Sequence, residues 1–95
     1  PPTLEAAAAG LPEDIPVYPG AHDMTGMADK MLMFSVDAPL DTVQSYYLQA
    51  MQSSQYELLL QTETMQWQKE KLMVSINLQT IDTGTQVVIV WFAIP

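Results

Sequence analysis

The chain has 95 residues, with 11 carboxylates against three lysines, no arginine, no cysteine and a net charge of -8. Without arginine it lacks the guanidinium group that binds phosphate through two parallel hydrogen bonds, and its negative charge repels polyanions. We therefore expect no binding to nucleic acid or to anionic membrane. The absence of cysteine excludes disulfides, thiolate metal sites and cysteine nucleophiles, while a hydrophobic fraction of 48% is sufficient for one folded domain.

The N-terminal part of the chain is rich in proline and poor in large apolar residues. Residues 1–10 contain two prolines, four consecutive alanines and a glycine, which leaves little to bury. We therefore predict a flexible tether at 1–10 and a single domain over 11–95. Residues 11–20 carry three more prolines, whose fixed φ and missing N–H predict an extended segment rather than a helix or a central strand.

A strand and a helix are predicted next along the chain. The short apolar run at 31–36 is typical of a strand. Asp37 followed by Pro39 is a helix-start signal, because the carboxylate accepts from unpaired N–H groups and proline is tolerated in the first turn. Apolar residues then recur at steps of three and four over 40–53, which predicts one amphipathic helix.

The rest of the sequence alternates between apolar and polar residues. This pattern predicts strands at 56–60, 65–68, 72–79 and 86–94, with turn residues at 82–84 between the last two. The predicted fold is α+β: an antiparallel sheet of four to five strands with one amphipathic helix packed on one face.

One segment resembles a known group of proteins. The run Leu11-Pro12-Glu13-Asp14-Ile15-Pro16-Val17-Tyr18-Pro19-Gly20-Ala21 precedes a strand and a helix that carries Val43 and Tyr46-Tyr47. This order resembles small extracytoplasmic bacterial domains, often lipoproteins, that contain an IPxYPGA segment and a helix of the VxxFY type. The resemblance implies export to the periplasm or cell surface and a small α+β fold, but no chemistry. Frequent Gln, Thr and Ser beside scarce Lys and Arg favour the same location.

Residues suited to catalysis are few. One histidine, no cysteine, no arginine and no serine in a Gly-x-Ser-x-Gly turn leave few ways to assemble a nucleophile with its base. The carboxylate pairs Glu13 with Asp14 and Asp37 with Asp41 are better explained by a solvated surface and by a helix start. We predict that the protein is not an enzyme.

A metal site is a further hypothesis. The segment from His22 to Met33 contains one imidazole and four thioethers, ligands that suit Cu(I). His22, Met24 and Met27 are the predicted ligands. The other two methionines fall in the predicted strand and are more simply explained as lining one of its faces.

The last predicted strand is apolar on both of its alternating faces. Because one helix covers only one face of a sheet, something else must cover the other. The proline-rich N-terminal segment could do so, or another protein chain could. We therefore predict a non-enzymatic exported domain that acts through protein contacts, as a homo-oligomer or as an accessory or structural subunit of a surface or membrane-associated assembly. The alternative is an extracytoplasmic protein that binds Cu(I) or a small ligand through the segment from His22 to Met33. The predicted interface residues are Trp67, Val88, Val90, Trp91, Phe92 and Ile94.

Overall fold

The structure, a computed structural model, describes residues 12, 14–26 and 30–94. The predicted tether at 1–10 lies outside these residues. The elements follow in the order β1 (His22–Gly26), β2 (Met31–Val36), α1 (Leu40–Ser53), β3 (Glu57–Gln61), β4 (Thr64–Lys69), β5 (Leu72–Ile81) and β6 (Gly84–Ala93). The strands form one antiparallel sheet with the spatial order β1-β2-β6-β5-β4-β3.

The predicted number of strands is wrong. The α+β class with an antiparallel sheet agrees with the structure, but the sheet has six strands rather than four to five. The missed strand is β1, whose sequence His-Asp-Met-Thr-Gly shows no apolar alternation. It is a strand because its backbone pairs with β2. The pairing register shifts between His22 and Thr25, and Asp23 in this stretch has a left-handed backbone with a φ of 53°.

The helix start differs from the expected one in its capping. Pro39 occupies the cap position with φ -62° and ψ 152°, and no side chain caps the helix there. Asp41 lies in the first turn, where its negative charge is favoured by the helix dipole. Asp37 instead accepts a hydrogen bond from the ring of His22, across the end of the sheet.

One hydrophobic core lies between α1 and the sheet. The helix buries Val43, Tyr47 and Met51 against it, and full burial of side chains of this size contributes about 1.5–3 kcal/mol each. The sheet contributes buried side chains at alternating positions along its four inner strands, β2, β6, β5 and β4. These are Leu32, Phe34, Val36, Met65, Trp67, Val74, Ile76, Leu78, Val87, Ile89 and Trp91.

The described part of the N-terminal segment packs on the same side as the helix. Ile15 is buried in the core, and the Tyr47 hydroxyl donates to the Pro16 carbonyl oxygen at 2.9 Å. The rings of Tyr18 and Tyr46 meet edge to face with centroids 4.8 Å apart. Residues 14–21 therefore extend the helix layer and do not cover the second face of the sheet. Within the described ranges, no helix is long and apolar enough to cross a membrane.

Candidate functional site

The second face of the sheet, away from α1, is the candidate site. In an antiparallel sheet, directly paired residues lie on the same face, and residues along a strand alternate between faces. Met33 pairs with Val88, Val88 with Asn77, and Asn77 with Thr64, so one row of side chains crosses four strands on this second face. We call it the open face. Its members on the four central strands are Met31, Met33, Ser35, Thr64, Gln66, Gln68, Met73, Ser75, Asn77, Gln79, Ile81, Gly84, Gln86, Val88, Val90 and Phe92.

Half of the open face is a continuous apolar patch. It is built from three directly paired couples on β2, β6 and β5, which the register brings together from distant parts of the sequence. Phe92 is 47% exposed and the other members are half-buried, because neighbouring side chains shield them. The apolar patch consists of Met31 with Val90, Met33 with Val88, and Met73 with Phe92.

The other half of the open face is mostly polar and uncharged, with Ile81 as an apolar member. The Thr64 hydroxyl donates to the Asn77 side-chain oxygen at 2.8 Å, and the Asn77 amide nitrogen lies 3.5 Å from the Val88 carbonyl oxygen. The Gln86 amide donates to the Met33 sulfur at 3.2 Å. These contacts join polar side chains to residues on neighbouring strands. Ser75 lies between Val90 and Gln66, where the apolar patch meets the polar half.

The open face carries no charge on its four central strands. β2, β5 and β6 contain no charged residue, and β4 contains only Lys69. The Lys69 ammonium is on the helix side, where it bonds Asp14 at 2.9 Å and lies 5.4 Å from the centre of the Tyr56 ring. Carboxylates occur on the two edge strands: Glu57 lies opposite Gln68 on β3, and Asp23 lies on β1. A chain with a net charge of -8 thus has one neutral, partly apolar surface.

The predicted interface residues divide between the two sides of the sheet. Val88, Val90 and Phe92 lie on the open face. Trp67 and Trp91 are 0% and 4% exposed and lie in the core against α1, so they cannot contact a partner there. Ile94 follows the end of β6, is half-buried, and its N–H donates to the Lys71 carbonyl oxygen at 2.7 Å. The methionines of the apolar patch were missed, because only the strand register places them beside β6.

The predicted Cu(I) ligands are not assembled as a site in the described part of the chain. His22 uses both ring nitrogens: Nε2 is 2.9 Å from Asp37 Oδ1, and Nδ1 is 3.0 Å from Asp23 Oδ2. Hydrogen bonds to Asp37 and then to Asp23 raise the pKa of His22 above its usual value of 6.5. A metal ion would have to displace a carboxylate and a proton.

The other two predicted ligands add little to this site. Met24 is half-buried and packs against the core, and Met27 lies outside the described residues. Among the residues that the structure covers, no group of three or more His, Asp or Glu side chains could hold a metal ion. Copper binding stays an untested hypothesis.

A single buried donor stands out in the core. The Trp67 indole N–H is fully buried and has no hydrogen-bond partner among the described residues. An unpaired buried donor costs about 1–3 kcal/mol. It lies between the sheet and the helix, on the side opposite the open face.

Comparison with known proteins gives one match. A family model described as START domain-like matches residues 20–86, which is 67 of the 95 residues. The match begins two residues before β1 and ends at the third residue of β6. It therefore includes α1 and five complete strands, β1 to β5. No curated protein and no solved structure matches the chain.

Proposed function

We propose that this chain, which belongs to the START domain-like family, is a non-enzymatic binding module whose open face contacts a protein partner. It acts outside the cytoplasm, as a homo-oligomer or as an accessory or structural subunit of a surface or membrane-associated assembly. The extracytoplasmic part of the proposal is supported by the IPxYPGA resemblance and by the scarcity of lysine and arginine.

The apolar patch is the observation that carries this proposal. An antiparallel sheet with one solvated face normally alternates apolar residues inward with polar residues outward. β6 breaks this rule, because Val88, Val90 and Phe92 face away from the helix. Contiguous exposed apolar surface of this kind is typical of a protein contact.

The scarcity of catalytic groups supports the non-enzymatic part. The chain has one histidine, and both of its ring nitrogens face carboxylates. A general base needs a free lone pair in reach of its substrate. The carboxylate pair considered from sequence, Asp37 with Asp41, has its first member bonded to His22 and its second bonded to the Thr42 N–H of the helix start.

Site-specific photo-crosslinking tests the proposal. A photoreactive phenylalanine analogue replaces Gln66, which lies on the open face beside Ser75, in the cells that produce the protein. The same analogue at Gln49, an exposed residue of α1, is the matched control. We expect crosslinks to protein, either another copy or a different chain, from position 66 and not from position 49. Absence of crosslinks at 66, or equal crosslinking at both positions, contradicts the proposal.

A second candidate function is small-ligand binding between α1 and the sheet. The unpaired indole N–H of Trp67 favours it, since a ligand acceptor would satisfy that donor. Native mass spectrometry of gently isolated protein tests this candidate. A retained non-protein mass that is lost in Trp67→Phe supports it, and protein that carries no added mass contradicts it.

A further inference from the structure

We propose that the partner of the open face is a second copy of this chain, and that two copies pack face to face as a two-sheet sandwich. This inference rests on the proposed function of the open face and names its occupant. The two copies are related by a two-fold axis, which makes the same patch serve both sides of the contact.

The distribution of charge favours this occupant. Two chains with a net charge of -8 repel each other wherever carboxylates face carboxylates. The edge strand β1 carries Asp23, the helix carries Asp41, and the turns after β3, β4 and β5 carry Glu63, Glu70 and Asp82. The open face holds no charge on its central strands, so it is the surface through which two copies approach with their carboxylates at the periphery.

The same distribution disfavours a strongly charged partner at this face. A basic protein would be drawn to the acidic edge, helix and turns, because charge complementarity directs encounter to those surfaces. An uncharged, partly apolar surface is the complement of the open face. The chain itself supplies such a surface of matching size and shape.

The area of the open face is sufficient for a weak, specific dimer. Strands lie about 4.8 Å apart and rise about 3.3 Å per residue, so β5 and β6 with their shorter neighbours span on the order of 500 Å² in projection. Weak, transient interfaces bury less than about 1,200 Å² in total, which is less than about 600 Å² per partner, and the open face falls in this class. Packed sheet faces lie about 10 Å apart with strands about 30° from parallel, a spacing that the side chains of the apolar patch can fill.

The side chains of the apolar patch suit self-contact. Three of the six are methionines, which adapt to irregular gaps, and Phe92 is an exposed aromatic that can insert between them. The backbone groups of the four central strands are already paired within the sheet, so the contact leaves none of them unsatisfied. Ser75 on β5 and Val90 on β6 pair at the centre of the sheet, with two more strands on either side, and lie next to the two-fold axis of the proposed dimer.

Paired charge substitutions at Ser75 test the inference. We expect the unaltered protein to form dimers in sedimentation velocity between about 1 µM and 1 mM, the range expected for an interface of this size. Ser75→Glu and Ser75→Lys each place a charge at the centre and raise the dissociation constant by about 30-fold or more. An equimolar mixture of the two variants restores a dimer, which misfolded variants would not do. Gln49→Glu, on α1, is the control that keeps the dimer.

The other outcomes separate this inference from the proposed function. A monomer at 1 mM that crosslinks to a different protein from position 66 overturns the second-copy partner and leaves the proposed function standing. A monomer with no crosslink overturns both. A dimer that persists in both Ser75 variants places self-association at another surface, such as the edge strand β3, and also overturns the inference.

Discussion

Gly84, the first residue of β6 directly after the turn from β5, shows how one backbone position fixes the end of the sheet. Its φ is +151°, and a Cβ atom there would collide with the carbonyl oxygen of Val36 and lie 2.9 Å from the Ala38 nitrogen. The turn therefore packs directly on the backbone that connects β2 to α1. Because those contacts are backbone atoms, they cannot move aside as a flexible side chain would.

We predict that Gly84→Ala lowers the free energy of unfolding by about 2 kcal/mol or more, from strain at positive φ together with the collision. Gly20→Ala is the matched control: its φ is +83°, and no atom lies within 4 Å of the added Cβ. It should cost only about 1 kcal/mol. Urea unfolding of both variants measures the difference, and equal losses would show that the Val36 contact gives way.

His22 makes a pH-dependent contribution that can be followed directly. Its pKa is raised by hydrogen bonds to Asp37 and Asp23, so the folded state favours the protonated ring. A raised pKa contributes stability that is fully present below about pH 6.5 and is lost as the pH rises through the folded pKa. We expect the stability difference between the unaltered protein and His22→Asn to shrink over that window. NMR titration of the only histidine should give a pKa above the usual value, and a pKa at or below 6.5 would contradict the paired geometry.

At the scale of elements, the N-terminal segment and α1 are joined through one tyrosine. The buried Tyr47 hydroxyl donates to the Pro16 carbonyl oxygen and accepts from the Tyr18 N–H at 3.2 Å. A second contact joins the segment to the residue just before β3, since the Tyr56 hydroxyl donates to Asp14 Oδ1 at 3.0 Å. Burial raises the pKa of both Tyr47 and Tyr56, in keeping with hydroxyls that stay protonated donors.

We predict that Tyr47→Phe destabilises the domain by about 1–3 kcal/mol, because it leaves the Pro16 carbonyl and the Tyr18 N–H without their partner. Tyr46→Phe is the control, since the Tyr46 hydroxyl makes no hydrogen bond among the described residues, and it should cost less than about 0.5 kcal/mol. Thermal or urea unfolding distinguishes the two. A similar loss in both would mean that ring packing, not the hydroxyl, joins the segment to the helix.

The elements differ in how well their sequences predicted them. The helix and five strands follow from apolar patterning, although the edge strand β3 leaves four of its five residues exposed. β1 does not, since a polar edge strand forms by backbone pairing with β2 and needs no apolar pattern. Asp37 satisfies the sequence rule for a helix cap, yet its partner is His22, 15 positions away, and no local pattern records that contact.

Only part of the candidate site could be predicted, again because local patterns do not show contacts between distant segments. Alternation shows which residues of β6 share a face, but both of its faces are apolar, so it does not show which one meets α1. Trp67 and Trp91 were therefore placed at an interface, whereas the structure buries both in the core. Met31, Met33 and Met73 join Phe92 and Val88 only through the register between strands distant in sequence.

For the whole molecule, the net charge of -8 gives the proposed dimer a diagnostic salt dependence. Carboxylates at the rim of two copies repel over a Debye length, which shrinks from roughly 20 Å at 20 mM salt to about 4 Å at 500 mM. We predict that the dimer tightens as NaCl rises over this range. Sedimentation at both concentrations measures it. Association that weakens with salt would indicate attraction between opposite charges, and would contradict contact through a neutral face.

The position of β6 also determines when the fold can form. β6 is hydrogen-bonded to β2 on one side and to β5 on the other, so without it the sheet is two separate pieces, β1-β2 and β5-β4-β3. Among the described strands it comes last in the sequence, and it is uncharged and apolar on both faces, a composition that aggregates when exposed. During synthesis, β6 leaves the ribosome after both of its neighbours have been made, so it can insert between them at once. A circular permutant that places β6 first would expose the most aggregation-prone strand with no partner to receive it.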